Sequence, residues 1–249
     1  MTSPVSGSTA AAGTDARADY GLDAPGVVKT LAAFGCAFVP LGVMLSRLPA
    51  AVGVAHAALW MGGSFTVSAL LMIASSRVGK LRARDRLLDR LALRGHETVL
   101  DVGCGHGLLL IGAAHRVPHG RAIGIDLWSQ KDQATNSSAA TLANAAIEQV
   151  GDRVEVRDGD MRQLPFDDAS VDAVVSSLAI HNVPSAEERA TAVREIVRVL
   201  KPGGRVAILD IAHVSDYARV LRELGCVVER LALVPTIFPP TRELVARKA

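Results

Sequence analysis

Three glycines at alternate positions, Gly103, Gly105 and Gly107, stand between an apolar strand and an apolar helix in the run VLDVGCGHGLLLIGAA. Glycine reaches backbone conformations closed to other residues, and its missing side chain lets main chain approach a ligand closely. A strand that passes through such a turn into a helix opens a βαβ unit. That confines the chain to a mainly parallel sheet covered by helices on both faces.

The sequence from Glu97 onward keeps the same rhythm. Strands are expected at 98–102, 121–127, 154–157, 171–180, 205–211, near 227–234 and at 241–247. Helices are expected at 108–117, 138–150, 185–200 and 215–224. The 171–180 segment begins with alternation and becomes continuously apolar, as a central strand should. Ser185 followed by Glu188 is a capping-box pattern. Lys201-Pro202-Gly203-Gly204 is read as the stop of that helix, and Gly225 as the end of the next.

Open parallel sheets bind ligands at the carboxyl ends of their strands. Asp126 ends the second strand, about 20 residues beyond the glycine loop, where a carboxylate can accept both hydroxyls of a ribose. The other reading of Asp126 is a turn or cap residue. The third strand runs into Asp158-Gly159-Asp160-Met161. The glycine spacing is G-x-G-x-G with Leu108 next, not the G-x-G-x-x-G of a dinucleotide site, which speaks against an NAD-dependent reductase. The polar stretch from Trp128 to Asn136 either covers a ligand or is a solvated connection.

The N-terminal part differs in kind. Residues 1–25 are rich in Ser, Thr, Ala, Gly and Asp, without apolar periodicity, and are expected to be disordered. With no basic start and no cleavage site, they do not read as a secretory signal. Residues 30–46 carry no charge, and neither do residues 48–76, with Arg47 between them. A helix needs about 20 mostly apolar residues to cross a bilayer. The second run suffices; the first does so if Val27, Val28 and a snorkelling Lys29 extend it. Residues 26–76 are therefore expected to form a two-helix membrane hairpin, a buried soluble hairpin or apolar cap being the alternative. Residues 77–96, with Arg77, Lys80, Arg82, Arg84, Arg86, Arg90 and Arg94 against Asp85 and Asp89, are expected to form a basic linker helix. Lys and Arg excess marks the cytoplasmic side, so both termini of the hairpin belong there.

Net charge is +2 over 249 residues, with no basic run interleaved with aromatics, so a nucleic-acid partner is not indicated. Cys36, Cys104 and Cys226 are far apart and form no CxxC pair, which excludes a zinc knuckle or redox pair and suits a reducing compartment. Cys104 reads as part of the turn in preference to a nucleophile. The seven histidines form no metal motif.

Together the VLDVGCGHG loop, Asp126, Asp158-Gly159-Asp160-Met161, Leu164-Pro165-Phe166 and the Lys201-Pro202-Gly203-Gly204 turn closely resemble the class I S-adenosylmethionine-dependent methyltransferases. The small-molecule branch that includes ubiquinone and menaquinone methylases is the most similar. The resemblance covers residues 97–211 well and the last strands more loosely. It implies a Rossmann-like, doubly wound seven-stranded sheet, mainly parallel with an antiparallel last strand, over residues 97–249. S-adenosylmethionine is the implied cofactor. Its methionine part would lie on Gly103, Gly105 and Gly107, its amino group on Asp101 and the backbone at Leu178. Its ribose would lie on Asp126 beside Leu127, and its adenine on Asp160 and the Met161 backbone. His106 departs from the small residue usual there and either meets the donor carboxylate or points outward. His181 and His213, each just past a strand end, are candidate bases, although many relatives need none. The expected function is methyl transfer to a small, apolar acceptor (a phenol, quinol, hydroxyl or thiol) at the cytoplasmic membrane face. The alternative is a donor-binding interaction module without catalysis.

Overall fold

The computed structural model describes residues 17–128 and 136–249. The polar loop proposed as a ligand cover lies, except for its end residues Trp128 and Asn136, outside the described residues, as do residues 1–16 of the N-terminal tail.

Two long apolar helices come first: α1 (Pro25–Leu45) and α2 (Val52–Ala74), joined by a short 3-10 turn at Pro49–Ala51. They pack as an antiparallel pair through small residues. A Cβ added at Gly62 would come within 2.7 Å of the Val39 amide nitrogen, and one at Gly42 within 2.7 Å of the Leu59 side chain. Such close backbone approach is how apolar helices associate where water gives no hydrophobic drive. Phe34, Phe38 and Phe65 cluster across the pair, with ring centroids 5.4–6.2 Å apart. Only 17% and 22% of the most apolar 18-residue windows of the two spans is buried. Phe34, Met44, Val54, Trp60, Val67, Leu70 and Leu71 face outward.

The hairpin and the linker are not separate pieces. Helix α2 passes through one π-helical stretch, Ser75–Gly79, directly into α3 (Lys80–Asp89). The basic helix ends at Asp89, short of the expected 96, with Ala92 and Gly95 at positive φ.

The seven strands are β1 (Thr98–Val102), β2 (Arg121–Asp126), β3 (Val154–Asp158), β4 (Val171–Ser177), β5 (Leu200–Asp210), β6 (Cys226–Val234) and β7 (Thr241–Lys248). The sheet order is β3-β2-β1-β4-β5-β7-β6. All pairings are parallel except those of β7, which runs antiparallel to β5 and β6. Helices α4 (Leu108–Arg116), α5 (Ser138–Ile147), α6 (Ala186–Val199) and α7 (Val214–Glu223) make the crossovers. Alternation along the strands divides the core. Val99, Val175 and Ala207 pack with Leu87, Leu88 and Leu110 on one face. Leu100, Val174 and Ile208 pack with Val193, Ile196 and Tyr217 on the other. The Ser185–Glu188 capping box forms as expected at the start of α6, worth about 1 kcal/mol.

Three local expectations change. Strand β4 ends at Ser177, because Leu178 takes φ 53 and residues 180–182 form a 3-10 turn. The Lys201-Pro202-Gly203-Gly204 segment ends α6 and already runs as the start of β5, Leu200 pairing with Val171. Residues 17–24 are ordered against the domain: Tyr20 is buried in the core beside α3 and α4. What holds them is Lys80, a residue of the basic linker helix that is only 3% exposed. Its ammonium donates to Tyr20 O, Gly21 O and Asp23 Oδ1 at 2.9, 2.6 and 3.1 Å.

Candidate active site

The carboxyl edge of the sheet gathers the loops after β1 to β5. Gly103 and Cys104 both donate backbone N–H to Ile125 O, at 2.9 and 3.0 Å, so the glycine loop leans from β1 toward β2. Gly103 has φ 75, and a Cβ there would overlap the Ala179 methyl, with Met161 Cε 3.6 Å away. The loops after β1, β3 and β4 therefore converge at Gly103, where a side chain would collide with Ala179. Gly105 and Gly107 also have positive φ.

Asp126 faces this loop. Its Oδ2 accepts from Gly105 N at 2.8 Å; its Oδ1 accepts from Trp128 N at 2.7 Å and from the Asn136 amide at 3.3 Å. Leu127 beside it is exposed. Asp101, below the loop, is 2% exposed, and its Oδ1 has no hydrogen-bond partner among the described residues. Burial pushes its pKa up to about 8, the Leu110 N–H drawing it back and the Asp126 charge adding to the rise. Burial, with Asp101 and Asp126 nearby, also holds the Cys104 thiol well above the ordinary range, which removes it as a nucleophile.

Asp160 stands at the rim with both oxygens already engaged. Arg162 donates from Nε to each at 3.0 Å and binds Glu188 with its other arm. This pairing holds the Asp160 carboxyl below its usual range. Arg162 was not legible as a site residue, since the sequence shows only a lone arginine two positions past an acid. Leu178, at φ 53, is a strained non-glycine residue, and such outliers concentrate at functional sites. Its N–H donates to Leu209 O at 2.8 Å, tying the β4 end to β5.

The two histidines part company. His181 Nδ1 lies 2.6 Å from Asp210 Oδ1. That contact falls outside in-line hydrogen-bond angles, and it is an ion pair only when the imidazole is protonated. The His181 backbone N–H donates to Asp210 Oδ2 at 3.0 Å. Asp210 is fully buried at the end of β5 and also accepts from Ile211 N and, at 3.4 Å, from the Tyr217 hydroxyl. Asp210 carried no role in the sequence reading; its signal was an acid on the last residue of an apolar strand. His213 instead sits at φ 61 at the start of α7, with its Nδ1 3.8 Å from Asp216 and its ring partly exposed. His106 is buried. The 17–24 strap covers it: Nδ1 is 3.2 Å from Asp19 O, and Asn144 bridges Asp19 O and His106 O. It does not point outward to solvent.

A family profile described as "Methyltransferase domain" matches residues 100–208. The chain is 33% identical over 136 residues to demethylmenaquinone methyltransferase of Lactobacillus johnsonii, covering 53% of this chain and 51% of that protein. It is 34% identical over 153 residues to 27-O-demethylrifamycin SV methyltransferase of Amycolatopsis mediterranei, covering 58% and 52%. The chain thus spans about half the length of these curated relatives. Among solved structures, a SAM-dependent methyltransferase from Aquifex aeolicus shares the fold with a TM-score of 0.55 at 20% identity, over 67% of this chain and 89% of that one. The [4+2]-cyclase SpnF does so with 0.58 at 20%, over 68% and 80%. Sheet order, glycine loop and sequence similarity agree: residues 100–208 match a methyltransferase domain, and the chain has the fold of the class I S-adenosylmethionine-dependent methyltransferases.

Proposed function

We propose that this chain transfers a methyl group from S-adenosylmethionine to a small, apolar acceptor that reaches it from the cytoplasmic face of a membrane. The observation that carries the membrane part is where the hairpin joins the domain. Phe238 N, in the β6–β7 turn, donates to Ser75 Oγ at 2.8 Å, and Gly79 packs against Thr236. That turn lies at the carboxyl edge, since Arg242 just beyond it pairs with Asp210. The strap that meets the hairpin root at Ser76 and Lys80 covers His106 of the glycine loop. The hairpin therefore leaves the domain on the side where the cleft opens. Leu127, Ile211 and Leu233 expose apolar side chains on that same edge. A bilayer is the occupant that suits helices of 21 and 23 residues with outward Trp60, Val54 and Leu70. Exposed Arg77, Arg82 and Arg86 follow at the anionic headgroup level.

The residues fit the donor. The unpartnered Asp101 oxygen suits an ammonium, the space kept clear at Gly103 suits a chain lying on the loop, and Asp126 is aimed across the cleft. Among the described residues, three of the roughly four acceptor positions of the Asp126 carboxylate are used. A ribose diol would displace the Asn136 amide, the longest of those bonds. Asp160 would reach an adenine amino group only by sharing its oxygens with Arg162, so we assign it a weaker part and look to the Met161 backbone. The donor supplies a methyl carbon on a positively charged sulfur, an already activated leaving group. Much of what the protein adds is alignment and exclusion of water.

The test is donor titration calorimetry on the full chain in detergent, with labelled-methyl transfer to a panel of quinols, phenols and thiols. Asp126→Ala should remove charged hydrogen bonds worth about 1.5–3 kcal/mol, roughly ten- to a hundredfold in donor affinity. Unchanged affinity would remove Asp126 from the site. Tight donor binding with no turnover on any acceptor would point to an interaction module.

A further inference from the structure

The pairing of His181 with a fully buried Asp210 reaches past donor binding to the chemistry of the acceptor. We infer that Asp210 is a positioning residue that fixes His181 as the general base of the transfer, and that the acceptor is a weakly acidic hydroxyl, such as an alkylphenol or hydroquinone. The inference rests on the methyltransferase reading above.

A carboxylate this close to Nδ1 favours the neutral tautomer with its proton on Nδ1 and its lone pair on Nε2, a small turn of the ring bringing that N–H into line. It also stabilises the imidazolium that forms when Nε2 takes a proton, as the aspartate of a serine-protease triad does. The elements here are separate in sequence and meet at one place. Asp210 ends β5, and the 3-10 turn at Ile180–Asn182 carries His181. A backbone bond to the same carboxylate holds that turn, and Tyr217 from α7 closes its far side. Nothing among the described residues bonds Nε2, and about a fifth of the side chain stays exposed. Leu178, which the donor reading sets against the amino group, is three residues before His181, so the histidine stands on the same loop at the carboxyl edge. His213, with its ring against Asp216 on its own helix, lacks a buried orienting acid.

In the step itself, His181 Nε2 takes the hydroxyl proton as the acceptor oxygen's lone pair forms the new O–CH3 bond. The electron pair of the breaking C–S bond stays on sulfur, which leaves as a neutral thioether. The positive charge lost from sulfur reappears on imidazolium, beside the Asp210 carboxylate. A thiol acceptor would ionise without such help, so the dyad is informative about the substrate class.

Two measurements test this on the full chain in detergent. The first is histidine 15N spectroscopy without donor. The expected signature is an Nδ1–H, Nε2-unprotonated tautomer for His181, lost in Asp210→Asn. A neutral His181 protonated on Nε2 in the native chain would overturn the assignment. The second is kinetics on a series of phenols of graded acidity. His181→Ala should lower kcat for the least acidic phenols about 10²-fold, with KM and donor affinity unchanged. The loss should fade for the most acidic phenols, and added imidazole should restore part of the rate. Asp210→Asn should lower kcat about tenfold or more with the same acidity dependence. Its donor affinity reports whether the variant is folded. Losses independent of phenol acidity, or no loss while the native chain turns over, would refute the dyad. Failure of the native chain to bind the donor would instead refute the methyltransferase reading.

Discussion

Asp101 shows how one buried carboxyl couples stability, pH and ligand. Its carboxyl titrates near 8 in the folded chain, because burial penalises the charge, against about 3.9 in an unfolded chain. The folded state therefore keeps a proton that the unfolded state has lost, and stability falls as pH rises between those two values. The contribution is fully present below about pH 4 and gone above about pH 8. In the donor-free chain, Asp101→Asn should flatten that part of the pH–melting curve. Near neutral pH the donor's ammonium would meet a carboxyl that is still mostly protonated, and pairing would expel the proton. The heat of donor binding should thus depend on the ionisation enthalpy of the buffer, and the dependence should vanish in Asp101→Asn. Equal heats in phosphate and Tris for the native chain would show that the ammonium does not meet Asp101.

At the level of elements, the hairpin depends on backbone contact between α1 and α2. Gly62 faces the Val39 amide at 2.7 Å, and Gly42 faces the Leu59 amide at 2.9 Å behind the Leu59 side chain, so at both positions a backbone atom blocks a side chain. Gly62→Leu should cost about 1–3 kcal/mol by overpacking. It should open the turn at Arg47 to trypsin in detergent while donor affinity is kept; unchanged cleavage and melting would mean the pair is held elsewhere. Most elements were legible because apolar periodicity reports burial directly. Strand β1 and the Ser185 cap match their patterns, and Gly103, Asp101 and Asp126 were visible as a spaced set. The misreadings have tertiary causes. The apolar run through Leu178, Ala179 and Ile180 continues past β4, yet the chain turns at Leu178, whose N–H is captured by Leu209 O. Pro202 and the glycines after it read as breakers, but β5 begins at Leu200, where Val171 gives it a partner. The strap at 17–24 offers one aromatic and no periodicity. Its order comes from Lys80 and Asn144, residues 57 or more positions away. The His181–Asp210 pair is likewise made by the crossover through α6 that sets β5 beside β4, and adjacency in space left no mark on either local sequence.

For the whole molecule, the hairpin behaves as an insertion between two segments that belong to the catalytic domain. Asp23 N donates to Ser76 Oγ at 3.1 Å, and that hydroxyl donates back to Asp23 Oδ2 at 3.1 Å, so the chain leaves and re-enters the domain at one point. Cutting at Ser76 would take away the strap as well as the hairpin. It would uncover the face of α3 around Leu87 and leave Lys80 without Asp23 and the two carbonyls. Losing buried Tyr20 alone costs roughly 1.5–3 kcal/mol, at about 2–4 °C per kcal/mol for a chain of this size. Replacing residues 26–74 with a short Gly/Ser linker should keep the strap, the Lys80 cluster and the cleft. That chain should stay in solution, melt with the native domain and bind the donor within about twofold, whereas deletion of residues 1–76 should melt several degrees lower. Sedimentation with anionic phospholipid vesicles separates anchoring from folding: both shortened chains should stay in the supernatant and the native chain should pellet. If the hairpin also serves to bring the cleft to its acceptor, the linker chain should lose activity on long-chain phenols dissolved in vesicles and keep it on short-chain, water-soluble ones. Equal loss on both would assign the hairpin a part in the cleft itself. Equal retention would leave it as an anchor alone, with the acceptor arriving through water.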